Sequence, residues 1–123
     1  MEVALADGKL EIAKTLIKYG ADVDSRDNLG WTPLHRAAYC GHVDVLRQLL
    51  DNGADINATE WEDFTPLHLA SVNNRVDVVQ SLLEQGANVQ IRNVYGRTPY
   101  QDALKRRHRG IAQLLSGYEI GGV

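Results

Sequence analysis

Thr32-Pro33-Leu34-His35 returns 33 residues later as Thr65-Pro66-Leu67-His68, and after another 33 as an altered copy, Thr98-Pro99-Tyr100-Gln101. These copies hold all 3 prolines of the chain. A fixed period of this length marks a linear repeat array, whose units bury their apolar faces only by stacking on neighbours. From this anchor the chain divides into four units, residues 1–26, 27–59, 60–92 and 93–123. Units two and three agree at 12 of 33 positions, mostly small, apolar or turn-forming types. A repeated packing problem would fix such positions.

Each unit has the same physical logic. Thr32 can cap a helix, and Pro33 suits its first turn, where an N–H would be unpaired anyway. Leu34, Ala37 and Ala38 then fall on one helical face, and Gly41 breaks this short helix. Val45, Leu46, Leu49 and Leu50 form the buried stripe of a second helix, which Gly53 is placed to end in a left-handed cap. Ala54-Asp55-Ile56-Asn57 runs extended, and a turn at Asn28-Leu29-Gly30 or its equivalent opens each unit. Helices of about two to three turns are unstable alone in water, so the expected architecture is an all-α repeat solenoid.

At 123 residues the chain is one domain. Its net charge of -3 argues against a general phosphate-backbone binder. The only cysteine, Cys40, cannot form an internal disulfide and fits a reducing compartment. No apolar run approaches the roughly 20 residues that span a bilayer. The opening Met1-Glu2-Val3-Ala4-Leu5-Ala6-Asp7 is acidic and breaks off too early for a signal peptide. An intracellular protein, cytoplasmic or nuclear and outside the membrane, is expected.

Asp27-x-x-Gly30-x-Thr32-Pro33-Leu34-His35-x-Ala37-Ala38, then Gly41-His42-Val43-Asp44-Val45, then Leu49-Leu50-x-x-Gly53-Ala54-Asp55-Ile56-Asn57, resembles the ankyrin repeat almost position by position. The resemblance covers essentially the whole chain. It implies L-shaped units of two antiparallel helices with a projecting β-hairpin, stacked so that hairpins and first helices form a concave face. It also implies that His35 and His68 hydrogen-bond within and between units, and that His42 and His108 are inter-unit packing. Asn57 occupies the hairpin slot that can be hydroxylated in ankyrin proteins; Asp24 and Gln90 hold the equivalent slots.

The departures carry expectations of their own. Unit one starts in register at Met1, opposite Leu34, as a degenerate cap or a piece of a longer array would. Asp63 and Asn74 replace Gly30 and Gly41, and both tolerate positive φ. Arg107 replaces Gly41, Gly110 falls inside the last helix, and the Gly-Ala-Asp ending is missing, as suits a terminal unit facing water. Ser116–Val123 is expected to be a loosely held tail.

No zinc-spaced Cys/His cluster and no phosphate-cradling glycine loop is present. Cys40 has no base outside the repeat pattern to activate it. No catalytic residue, metal or cofactor is assigned. The aromatic residues say more. Trp31, Phe64 and Arg97 share the slot after the turn glycine. Trp61 and Tyr95 lie in the hairpins, and Tyr39 on the outer face of a first helix. The framework points these side chains outward, where large aromatics anchor interfaces; the other reading is that they only pack along the array. Glu60, Glu62 and Asp63 make the third hairpin acidic, while Arg92, Arg97, Lys105, Arg106, Arg107 and Arg109 make the fourth unit basic. That basic tract is a solvated cap, a contact for an acidic partner segment or a nuclear-import signal. An acidic neighbour and the lack of a groove-reading helix argue against DNA.

The expected function is a non-catalytic monomer that binds a protein or peptide through Leu29, Trp31, Tyr39, Trp61, Glu62, Phe64, Tyr95, Arg97, Lys105 and Arg106. Alternatives are a small ankyrin-type kinase inhibitor, a repeat array attached to an enzyme, or a selected binder. The regular second unit and the divergence between units weigh against the first and the last of these.

Overall fold

The computed structural model describes residues 23–121, so the readings of the shortened first unit over 1–22 lie outside the described residues. Three helix pairs follow one another: α1 (Pro33–Cys40) and α2 (Val43–Asp51), α3 (Pro66–Val72) and α4 (Val76–Glu84), α5 (Pro99–Lys105) and α6 (Arg109–Gly121). First helices pack on first helices and second on second, and each pair packs on itself. The first helices approach one another more closely than the second ones do. Ala37, Ala38, Ala70 and Ala103 permit this, each fully buried. Closer spacing on one side curves the stack toward the first helices.

The core is a column of equivalent positions. Leu34 and Leu67 are buried on α1 and α3, beside Val45, Val78 and Ile111, then Leu46, Val79 and Ala112, then Leu49, Leu82 and Leu115 on the second helices. Burying each large aliphatic side chain contributes about 1.5–3 kcal/mol. Leu50 is only half-buried, at the edge of the predicted stripe.

All three first helices start with a complete capping box. The hydroxyls of Thr32, Thr65 and Thr98 accept the N–H of His35, His68 and Gln101 at 3.3, 3.2 and 3.3 Å. The threonine N–H groups donate back to His35 Nδ1, His68 Nδ1 and Gln101 Oε1 at 3.1, 3.1 and 3.0 Å. Because Nδ1 accepts, the histidine proton sits on Nε2. It is donated to the Phe64 carbonyl from His35 at 2.8 Å and to the Arg97 carbonyl from His68 at 2.9 Å. The motif histidine therefore caps its own helix and pins the end of the next unit's turn. Burial lowers the pKa of both rings from 6.5 to about 4, although the bonds to Phe64 and Arg97 work the other way. Gln101 keeps the cap without the link to a following unit.

Other ties also run between units. Asp24 accepts the Asp55 N–H at 3.0 Å, and Asn57 accepts the Asn88 N–H at 2.8 Å through its side-chain oxygen. Arg75 Nε donates to the Tyr39 carbonyl at 3.0 Å, and the His108 ring bonds the Ser71 carbonyl at 2.8 Å. Asp63, Asn74 and Arg107 take φ of 64°, 58° and 62°, so the turns survive without glycine.

Two expectations are corrected. Among the described residues no strand forms, and the projections are tight turns, called fingers here. Each closes on itself with a single long-reach backbone bond, such as Glu60 N–H to the Phe64 carbonyl at 3.0 Å, too little for a ladder. The segment read as a loose tail is helical through Gly121. The slot of the stop glycines Gly53 and Gly86, with φ of 91° and 89°, holds Glu119 there, so nothing ends the helix early.

Candidate functional site

The fingers are shaped from the base of each turn. Asp27 Oδ1 accepts the N–H groups of Leu29 and Trp31, both at 2.9 Å. Glu60 Oε1 accepts those of Glu62 at 2.6 Å and Phe64 at 3.0 Å. Asn93 Oδ1 accepts those of Tyr95 at 3.0 Å and Arg97 at 3.1 Å. One side-chain oxygen thus gathers two donors and fixes which way residues three and five of each finger point. The Asp27 carboxyl is pulled up by burial, but the Trp31 N–H and Arg36 outweigh this and hold it below the ordinary value.

Neighbouring fingers are joined as well. Trp61 N–H reaches the Leu29 carbonyl at 3.4 Å, and Val94 N–H the Glu62 carbonyl at 3.0 Å. Arg26 Nη1 donates to the carbonyls of Gly30 and Thr59, both at 2.7 Å. These bonds give the fingers little freedom to move apart, so their side chains form a preordered surface.

On that frame the aromatics form two layers. Trp31 and Phe64 are half-buried. Trp31 meets Tyr39 edge-on at 5.4 Å, and Phe64 meets His68 at 5.5 Å and Tyr95 at 6.2 Å. Trp61 and Tyr95 stand out at 63% and 58% exposure, and Leu29 at 50%. Arg36 lies over Trp31 at 5.2 Å, Arg26 over Trp61 at 5.4 Å and Arg97 over Tyr95 at 5.4 Å. Packing along the array and outward presentation therefore coexist: the inner rings pack, the outer ones remain exposed.

Trp61 lies directly over Gly30, donating its indole N–H to the Asn28 carbonyl at 3.2 Å. A Cβ on Gly30 would fall 2.7 Å from the indole Cε2, and the backbone there has φ +80°. Gly30→Ala is expected to lift the indole and to cost about 1 kcal/mol or more through the left-handed backbone. The 2 tryptophans of the chain both belong to this surface, so a shift in tryptophan emission together with a lower melting temperature checks this.

Leu29, Trp31, Trp61, Glu62 and Phe64 line one cavity of about 270 Å³ between the second and third fingers, together with Glu60 and Leu69. Five of the ten residues singled out in the sequence thus converge. Tyr39 lies behind Trp31, and Tyr95 and Arg97 stand beside Phe64 on the next finger. Tyr39 is half-buried and not, as expected, on an exposed face. Lys105 and Arg106 are exposed at the end of α5 and do not line the cavity.

Leu69 explains why the cavity forms here. Its slot holds Arg36 in unit two, paired with Asp27, and Asp102 in unit four, bonded by Asn93 Nδ2 at 2.9 Å. An apolar residue leaves that slot unfilled by an ion pair and gives the cavity an apolar wall. Leu69 was missed in the sequence and Glu60 was read only for its charge, although aligning units two to four shows an acceptor side chain at 27, 60 and 93 and, at 36, 69 and 102, an uncharged one only at 69.

A second, polar groove of about 370 Å³ runs between the second helices, lined by Val43, Arg47, Asp77, Gln80, Ser81 and Glu84. Among the described residues no group of three His, Cys, Asp or Glu side chains could hold a metal ion. No helix among them is long and apolar enough to cross a membrane.

Comparison with known proteins agrees with this architecture. Family profiles described as ankyrin repeats in three copies and in many copies match residues 1–60 and 49–103. Protein phosphatase 1 regulatory subunit 27 of Homo sapiens is 54% identical over 39 residues, 32% of this chain and 25% of that protein. Notch-regulated ankyrin repeat-containing protein of Xenopus tropicalis is 49% identical over 39 residues, 32% of this chain and 34% of that protein. Protein phosphatase 1 regulatory subunit 12A of Mus musculus is 51% identical over 41 residues, 33% of this chain and 4% of that protein. The chain thus spans about a third or less of these relatives. Ankyrin repeats imply protein–protein interaction. With the capping boxes, paired helices and stacked fingers on the same 33-residue period, and with these matches, the chain belongs to the ankyrin-repeat proteins.

Proposed function

We propose that this chain is a non-catalytic binding module that docks a protein or peptide partner through the fingers and first helices, centred on the cavity between fingers two and three. The convergence of Leu29, Trp31, Trp61 and Phe64 on that cavity carries the reading. A preordered surface loses little conformational entropy on binding. Buried aromatic anchors give most of the affinity of such interfaces, and the surrounding charges set orientation and on-rate. The test is affinity capture with the wild-type chain beside a Trp31→Ala/Trp61→Ala variant. A partner held by the first and lost by the second, with the variant still folded, supports the reading. Partners retained equally by both would refute it.

A second reading is favoured by the likeness to two phosphatase 1 regulatory subunits. In it, the partner is a protein phosphatase catalytic subunit, and the chain adjusts that enzyme's activity by docking. Direct titration of the purified chain against protein phosphatase 1 catalytic subunit decides it: saturable binding supports it, and none at micromolar concentrations excludes it.

A further inference from the structure

Resting on the binding role proposed above, we infer that the cavity between fingers two and three takes a peptide segment in which a large apolar side chain is followed or preceded closely by an arginine or lysine. The bed of the cavity is apolar, made by Leu29, Trp31, Trp61, Phe64 and Leu69. Its volume of about 270 Å³ suits one or two large side chains. Apolar anchors in such a bed are the residues that dominate binding energy.

The charge of the lining selects what flanks the anchor. Its only ionisable side chains are Glu60 and Glu62. Glu60 is buried, with Oε1 already accepting two backbone N–H groups, so it shapes the finger. Glu62 is exposed, and its Oε2 meets only the weakly placed Tyr95 hydroxyl at 3.4 Å among the hydrogen bonds described. Asp63 beside it is exposed too.

Of the three nearby cations two are matched by carboxylates, and Arg26 alone is outnumbered by Glu60, Glu62 and Asp63. Arg36 is paired with Asp27 and lies over Trp31. Arg97 sits 3.8 Å from Asp102 and over Tyr95. Arg26 is held by two backbone carbonyls and lies over the Trp61 ring. An incoming guanidinium or ammonium therefore finds an accessible carboxylate at Glu62, while the rings of Trp61 and Tyr95 already carry Arg26 and Arg97. An acidic segment would meet Glu62 and Asp63 as like charges.

The probe is a phage-displayed library of random 12-residue peptides, selected on the full 123-residue chain and counter-selected on the Trp31→Ala/Trp61→Ala variant. Enriched peptides are then synthesised with a fluorophore and titrated by anisotropy against wild type, Glu62→Gln and Glu62→Lys. The expected result is enrichment of an aromatic, leucine or methionine within two residues of arginine or lysine. Affinity should fall at least tenfold for Glu62→Lys, by less for Glu62→Gln, and also with added salt. Circular dichroism confirms that each variant is folded, and Glu62 is exposed, so both should be. Peptides that need the tryptophans yet lack basic residues, or that ignore Glu62→Lys, would overturn the charge selection while leaving the binding surface standing. A selection with no tryptophan-dependent peptide at all would overturn the surface and this inference together.

Discussion

Acidification from pH 7 to pH 4.5 is expected to remove about 5 kcal/mol of folding stability through two side chains, His35 and His68. Both rings are fully buried, and burial holds their pKa at about 4 against an ordinary 6.5. As pH falls through 6.5 the unfolded chain takes up a proton at each histidine while the folded chain does not. Stability is therefore complete above pH 6.5 and is lost progressively toward pH 4. Geometry gives the same sign. Protonating Nδ1 would set an N–H against the Thr32 or Thr65 N–H that now donates to it. Asp102, whose pKa burial raises against the pull of Arg97 and Asn93, opposes the trend weakly. A domain of ordinary stability has about 5–15 kcal/mol in all, so roughly a third or more of the folding stability is at stake. Urea unfolding followed by far-ultraviolet circular dichroism across this pH range measures it. The double variant His35→Gln/His68→Gln copies the cap already present at Gln101. It should be weaker at pH 7, by about 1–3 kcal/mol for each carbonyl left without its partner, and should show a nearly flat profile between pH 6.5 and 4. An equally steep profile in that variant would place the acid sensitivity elsewhere.

Replacing both tryptophans by alanine is expected to weaken a true partner by about 100- to 1,000-fold. Each anchor is worth roughly 2 kcal/mol or more at an interface centre, and 1.4 kcal/mol is about a factor of ten. Both line one cavity, so the losses overlap and the sum is an upper figure. The cost to the fold is smaller. Trp61 is 63% exposed, and its side chain makes one described hydrogen bond and one arginine stack. An exposed cation–π contact is worth about 0.5–1 kcal/mol. Trp31 is half-buried against Tyr39, so Trp31→Ala should cost more stability than Trp61→Ala. Calorimetric titration with the captured partner, beside thermal melts, separates the two effects.

Much of this was legible because the period repeats the same physical problem. Thr-Pro caps, the Leu-Ala-Ala face, the second-helix stripe and the turn residues Asp63 and Asn74 all appear where spacing puts them. The aromatic slots were legible as slots, and five of the ten chosen residues meet at one cavity. What escaped were features set by pairs of positions. Glu60 looked like one more surface acid, but its buried oxygen folds the third finger. Leu69 looked like ordinary helix, and its meaning comes from Arg36 and Asp102 in the same slot. The last helix outran its reading because a missing stop signal is harder to see than a present one. Lys105 and Arg106, chosen for charge alone, lie apart from the cavity residues.

The most direct test of the binding surface is a hydrogen-exchange footprint of the chain with and without its captured partner. Amides of residues 29–31 and 60–64, with lesser effects at 93–97, should slow on binding, while the outer groove around Arg47, Gln80 and Glu84 should exchange as in the free protein. Protection confined to that outer groove, with the fingers unchanged, would contradict the account.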